Sequence, residues 1–151
     1  MTGNVFLDTN VLVYAADSRV PWKQQRARAV LGALQSLGCG WISTQVAAEY
    51  FSAIVRKLPT PFSVRDAIAE VEQQLDVWNV VGVTDIVVRK ALKLMRGSGV
   101  SYWDAQILAT ASQYGLPLLF TEDMGDNAVI SGVRIVNPFR EDFRLGDWLP
   151  A

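Results

Sequence analysis

Acids supply the chemistry available to this sequence. Its 151 residues include no histidine and a single cysteine, Cys39. That composition removes Ser-His-Asp and Cys-His catalysis, histidine acid–base work, and zinc or iron held by histidine. Carboxylate chemistry, lysine chemistry and metal ions held by oxygen remain. Asp8, Glu49, Asp104 and Asp123 stand where carboxylates can act together. Two carboxylates about 4–5 Å apart, at an effective dielectric of about 20, repel by roughly 3–4 kcal/mol. Several in one place therefore need a cation or bound protons. Oxygen-only ligands select magnesium or manganese over zinc. One or two such ions activate a water and stabilise a pentavalent phosphate with its leaving oxygen.

Each acid also has a plainer reading. Asp8 directly follows the apolar run Val5-Phe6-Leu7, where aspartate is common as a turn or cap residue. Glu49 lies near a helix start, where the dipole favours a solvated glutamate. Asp104 shares a helix face with Ile107, Leu108 and Ala111, the stripe expected to meet the core. A lone buried carboxylate is costly and wants a partner, a cation or a proton. Ser101-x-x-Asp104 equally has a capping-box pattern, with Asp in place of the usual Glu or Gln. Asp123 follows another apolar run in Phe120-Thr121-Glu122-Asp123, and Glu122 or Asp126 can take its place. The choice among these three stays open. Thr121 either holds a carboxylate by a hydrogen bond or is a plain strand-end threonine.

The elements that must position these acids are short. Strands are expected at Val5–Leu7, Trp41–Ser43, Val80–Val83, Leu118–Phe120 and Val133–Val136, five in all. Asn10 can cap a brief helix through Val11–Ala16, and Pro21 opens a longer one closed by Gly38. Gln45–Leu58 carries Val46, Tyr50, Ile54 and Leu58 at i,i+4 spacing. Ser63 caps a helix with Ala67, Ile68, Val71 and Leu75 on one face. Thr84 caps another with Val87, Val88, Ala91, Leu92 and Met95. Ser101 starts a further helix, stopped by Gly115. Apolar strands alternating with helices imply an α/β fold: a three-layer α/β/α sandwich around a mainly parallel sheet of about five strands. Ligands in such folds bind beyond the carboxyl ends of the strands. Asp8 and Asp123 follow strands, and Glu49 and Asp104 fall near helix starts, so all four can meet at that edge. After Phe139 the chain is irregular, docked by Phe139, Phe143 and Trp148 in cis or on a second subunit.

The length fits one domain, residues 1–151. Hydrophobic residues make up 50% and charged residues 19%, which excludes a disordered chain. No apolar run is long enough to span a bilayer. Met1-Thr2-Gly3-Asn4 does not read as a signal peptide, and one cysteine excludes an internal disulfide. A cytoplasmic protein is expected. The net charge of -1 gives no whole-molecule attraction to nucleic acid, so any such contact must come from segregated charges. Arg89, Lys93 and Arg96 share one helix face and Arg19, Lys23 and Arg26 cluster earlier. A solvated helix face is the plainer reading of both sets. Trp22 and Trp103 can stack on a base or fill the core.

Phe6-Leu7-Asp8-Thr9-Asn10-Val11-Leu12, Glu49-Tyr50, Tyr102-Trp103-Asp104-Ala105 and Thr121-Glu122-Asp123 occur in an order and spacing that resemble PIN-domain nucleases. The resemblance is strongest to the VapC-type toxins of bacterial toxin–antitoxin pairs. Val133–Phe139 is similar to that group's closing strand. The resemblance spans nearly the whole chain and implies metal-dependent cleavage of single-stranded RNA by metal-activated water, with Mg2+ or Mn2+. Asp8, Glu49, Asp104 and Asp123 match the family's catalytic acids, with Asp8, Asp104 and Asp123 expected to hold metal. Thr9, Asn10 and Thr121 match its supporting residues, and Asp126 lies where some members carry another acid. A small cognate antitoxin and a homodimer are also implied. The alternatives are a haloacid-dehalogenase-like phosphatase with Asp8 as nucleophile, or a PIN domain that binds RNA or protein without cutting. The phosphatase wants a second acid where Asn10 stands. A receiver-type signalling domain wants a phosphorylation site after a middle strand, and Asp85 comes late for that.

Overall fold

Three consecutive apolar residues with no exposure form the first strand, β1 (Val5–Leu7), in the computed structural model, which describes residues 3–150. Met1 and Thr2, in the segment considered above as a leader, lie outside the described residues. Burial on both faces is what a central strand of a helix-covered sheet requires. Strands β2 (Gly40–Ser43), β3 (Asn79–Val81), β4 (Leu118–Phe120), β5 (Val129–Ile130) and β6 (Val133–Val136) complete the sheet in the order β3-β2-β1-β4-β6-β5. All pairs are parallel except β5 with β6. Phe6 lies between Trp41 on β2 and Leu119 on β4. From β1 the chain winds outward first through β2 and β3, then on the other side through β4 and β6. The reversal falls between β1 and β4.

The sheet has six strands rather than five. Strand β5 is a two-residue arm of a tight hairpin whose turn, Ser131-Gly132, has positive φ at both residues (51° and 79°). Such a turn matches the twist of paired strands, and the Ser-Gly dipeptide was its sequence signal. The third strand sits slightly earlier than expected, at 79–81. Gly40 is required where β2 meets Trp78, because a Cβ there would lie 2.5 Å from the indole ring.

Six helices cover the sheet: α1 (Thr9–Ala16), α2 (Pro21–Leu37), α3 (Thr44–Arg56), α4 (Val64–Val77), α5 (Asp85–Ser98) and α6 (Tyr102–Gln113). Pro21 opens α2 and Gly38, at φ 65°, closes it. Val46, Tyr50 and Ile54 of α3 and Leu58 just beyond it are all buried. The expected apolar faces of α4 and α5 are only partly covered. Ala67, Val87 and Ala91 are buried, whereas Ile68, Leu75, Leu92 and Met95 stay exposed. Asp8, not Asn10, caps α1 by accepting from the Thr9 N–H at 2.7 Å. The tail docks in cis. Phe139 is buried 4.8 Å from the Tyr14 ring, Phe143 stands edge-on to Phe120, and Arg26 donates to the Pro138 and Arg140 carbonyls. No described helix is long and apolar enough to cross a membrane.

Candidate active site

Parallel strands end at one edge of the sheet, and the chain leaves each end carrying polar residues. β1 delivers Asp8 directly. β2 passes into α3 through Ser43, whose Oγ caps the helix at the Val46 N–H, and Glu49 follows on the second turn. β4 delivers Thr121, Glu122 and Asp123. Asp104 arrives by a different route from the one expected. Its helix follows α5, not a strand, with Gly99 in the left-handed region (φ 68°) making the reversal. Because α6 runs back toward the start of β4, its N-terminal turn stands at the carboxyl edge. There Ser101 Oγ caps the Asp104 N–H at 3.4 Å. Asp104 is half-buried at the rim rather than within the core stripe.

These four acids line one cleft of about 440 Å³. Asp8 lies deepest. It accepts from the Thr9 N–H (2.7 Å), from the Thr121 hydroxyl (2.8 Å) and, at 3.4 Å, from Asn10 Nδ2. Burial pushes its carboxyl from 3.8 up to about 6; the bonds from Thr121 and Thr9 oppose the rise, and the charges of Glu49 and Asp123 add to it. Asn10 also donates to Asp123 Oδ2 and Thr121 Oγ1, both at 3.0 Å, and its own oxygen accepts from the Glu122 N–H. It thereby ties the end of β4 to the start of α1. Glu49 is held at both oxygens, by the Thr9 hydroxyl (3.1 Å) and by Gln45 Nε2 (2.6 Å). Behind Gln45 runs a chain of bonds: Tyr102 O–H to Gln106 Oε1 (2.7 Å), and Gln106 Nε2 to Gln45 Oε1 (2.8 Å). Both glutamines are buried, so each amide is committed to one orientation.

Charge pairing divides the acids of the cleft. Asp17 is gripped by the Arg19 guanidinium at 2.7 Å, which holds its carboxyl below the usual range. Glu122 takes Lys23 Nζ on one oxygen and the Tyr14 hydroxyl on the other, each at 2.5 Å. Among the described residues, Asp8, Glu49, Asp104 and Asp123 form no salt bridge. The cleft therefore collects uncompensated negative charge from four chain segments. Asp126 is elsewhere: it accepts from the Asn137 N–H and faces Arg140 at 3.3 Å, away from the cleft.

The bases divide similarly. Arg19 lines the cleft but is engaged by Asp17, Lys23 by Glu122, and Arg26 by tail carbonyls. Arg89 meets Asp85 at 3.6 Å on an exposed turn of α5, and neither it nor Lys93 or Arg96 lines the cleft. Lys57 does line it and forms no salt bridge among the described residues. Sequence reasoning passed over Lys57, Gln45, Gln106 and Asp17. Helical spacing marks two of them, since Gln45 and Lys57 stand four residues before and eight after Glu49.

A divalent ion suits this donor set by chemistry. All four unpaired groups are carboxylates, which hard cations prefer. Among the described residues no three acidic, histidine or cysteine side chains converge into a ready-made cage. The fit is to an ion such as magnesium, which binds through one or two carboxylates and keeps several waters.

Comparison with known proteins matches residues 5–125 to the PIN domain. The chain belongs to the PIN domain family. No curated protein matches it. Several solved structures share the fold. One is a toxin–antitoxin complex from Klebsiella pneumoniae, 22% identical, with a TM-score of 0.67 and coverage of 90% of this chain and 98% of the other. Another is a DNA-bound VapBC from Salmonella typhimurium, 19% identical, with a TM-score of 0.64 and coverage of 87% and 96%. A third is the Mycobacterium tuberculosis sarcin–ricin-loop-cleaving toxin VapC20, also 19% identical, with a TM-score of 0.59 and coverage of 77% and 87%. Like these, the present PIN domain is built on a mainly parallel sheet flanked by helices.

Proposed function

We propose that this PIN domain is a magnesium- or manganese-dependent endoribonuclease, the toxin of a toxin–antitoxin pair. The observation that carries the reading is one cleft holding four carboxylates in no salt bridge, beside two acids that are paired. Leaving anions unpaired costs stability unless a ligand of opposite charge belongs there. Asp8, Asp104 and Asp123 are the proposed metal-binding residues, one or two of them bonding the ion directly and the remainder through its waters. Each carboxylate has about four lone-pair sites, so Asp8 and Asp123 keep capacity beyond the bonds described. Thr9 and Gln45 hold Glu49 still, Asn10 spans Asp8 and Asp123, and Thr121 fixes the buried face of Asp8. A divalent ion bound there would polarise water and balance charge on the phosphate. Lys57, and Arg19 after a partner exchange, suit the approaching backbone.

Asn10 also weakens the phosphatase alternative. It stands where a general acid would be needed, and its amide is consumed in joining α1 to the end of β4. A protein partner, antitoxin or second copy, is supported by the exposed apolar residues Val64, Ile68 and Leu75 on α4 and Ile86, Leu92 and Met95 on α5. The deciding assay is RNA cleavage with magnesium, with manganese and with EDTA, comparing the native chain with Asp8→Asn. Cutting that needs the metal and is lost in the variant is expected. Equal cutting by both proteins refutes the mechanism. Metal-dependent binding of RNA without cutting would favour the non-catalytic PIN reading.

A further inference from the structure

Beside the acidic cleft lies a second hollow of about 680 Å³, within the size range of small-molecule sites, about 300–1,000 Å³. The two share Gln45, Glu49, Ser52 and Trp103 as a common wall. Beyond that wall the hollow is lined by Ala48 and Val83 and by the uncharged Thr44 and Gln106. Trp103 stands at the divide with 63% of its surface exposed, although it adjoins the proposed metal-binding residue Asp104. An indole left this open at the mouth of a cleft is not filling the core.

Charge tells the two spaces apart. Arg19 and Lys57 line the cleft, whereas the hollow has no cation and one acid, Glu49. With a divalent ion on its acids the first space has cations to hold a phosphate, whereas the second has none. Hydrogen bonding narrows the occupant further. The Gln45 and Gln106 amides are consumed in their chain to Glu49, and Thr44 Oγ1 accepts from the Val83 N–H. The wall thus offers flat apolar surface and few free groups to read a polar edge.

We infer that this hollow receives a nucleobase of the strand whose phosphodiester enters the cleft, stacked on Trp103. This inference rests on the nuclease reading above. A base is neutral, flat and joined to its phosphate by one sugar, so a hollow sharing a wall with the cleft is within its reach. Stacking of this kind tolerates any base, since every base has a π-face. The site therefore orients the strand without strong sequence choice.

The test uses two competitors of RNA cutting in magnesium: a short oligodeoxyadenylate and a strand of the same length whose residues are all abasic. The native chain should be inhibited about tenfold more strongly by the base-bearing strand. Trp103→Ala should bring that ratio close to one, and Trp103→Phe should keep most of it. Ala48→Trp, which fills the hollow from α3, should also collapse the ratio. A ratio unchanged in both Trp103→Ala and Ala48→Trp, in protein that still cuts RNA, overturns the inference and leaves the nuclease reading standing. If Trp103→Ala instead lowers the sedimenting mass, the hollow seats a second copy of the chain and the inference is also overturned. Failure of the native chain to cut RNA at all removes both readings.

Discussion

Replacing Asp8 by asparagine removes a charge from the deepest acid of the cleft, and its effect on stability follows from the carboxyl's environment. Burial raises that carboxyl from 3.8 to about 6, with the Thr121 and Thr9 hydrogen bonds opposing and the Glu49 and Asp123 charges assisting. Between those two values the folded chain holds a proton that the unfolded chain has released. Stability must therefore fall as pH rises through the window, and above about pH 6 the whole penalty is present. About two units at 1.36 kcal/mol each amount to about 3 kcal/mol. Asparagine escapes this term but meets another. Its single oxygen can accept from the Thr9 N–H or the Thr121 hydroxyl, which now bond opposite oxygens of Asp8. That loss, about 1–3 kcal/mol, does not depend on pH. The informative quantity is thus the difference in unfolding free energy, variant minus native, measured by urea melts in EDTA from about pH 4 to about pH 7. It should grow by about 2.4 kcal/mol in the variant's favour across that range, whatever its starting value. A flat difference would show that Asp8 feels no desolvation, and the account of the cleft as an uncompensated anionic site would fall with it.

The other expectations are simpler. Magnesium at about 100 times its dissociation constant should stabilise the native chain by about 2.7 kcal/mol over EDTA in thermal melts, and Asp8→Asn should lose most of that gain; equal shifts would place the ion elsewhere. Gln106→Ala removes the middle of the chain from Tyr102 to Glu49, leaving the Gln45 carbonyl and Tyr102 hydroxyl without partners. A stability loss of about 1–3 kcal/mol is expected by urea melt, together with a fall in RNA cutting in protein that remains folded. Gly40→Ala should cost about 1–3 kcal/mol, because its Cβ would meet the Trp78 ring at 2.5 Å, and Trp78→Leu in the same chain should recover part of the loss.

Much of this arrangement can be read from sequence because the strands are short, apolar and punctuated. Val5–Leu7, Leu118–Phe120 and Val133–Val136 stand where their residues place them, and Asp8 and Thr121 follow as the first polar residues beyond a buried run. What sequence hides is mostly pairwise. Nothing in Glu122 alone says that Lys23 and Tyr14 will cancel its charge, yet that pairing separates it from Asp123. Asp126 is drawn to a backbone N–H and Arg140 by the path of the tail, which local pattern does not encode. Asp104 illustrates a partial success: helical spacing put it on the buried stripe, but its place in the first turn carries it to the rim. Asn10 looked like a cap because capping is local, whereas its amide serves contacts more than a hundred residues away. Strand β5 escaped because two residues carry no period.

The sheet's reversal between β1 and β4 bears on how the protein comes into being. Asp8 and Glu49 belong to the first third of the polypeptide, while Asp104 and Asp123 are synthesised only after the outer strands of that half have been laid down. No nascent chain ending before Asp123 contains the full set, and cutting the backbone at Gly99, between α5 and α6, would leave Asp8 and Glu49 on one fragment and Asp104 and Asp123 on the other. The acid cluster is therefore complete only once β4 has paired with β1.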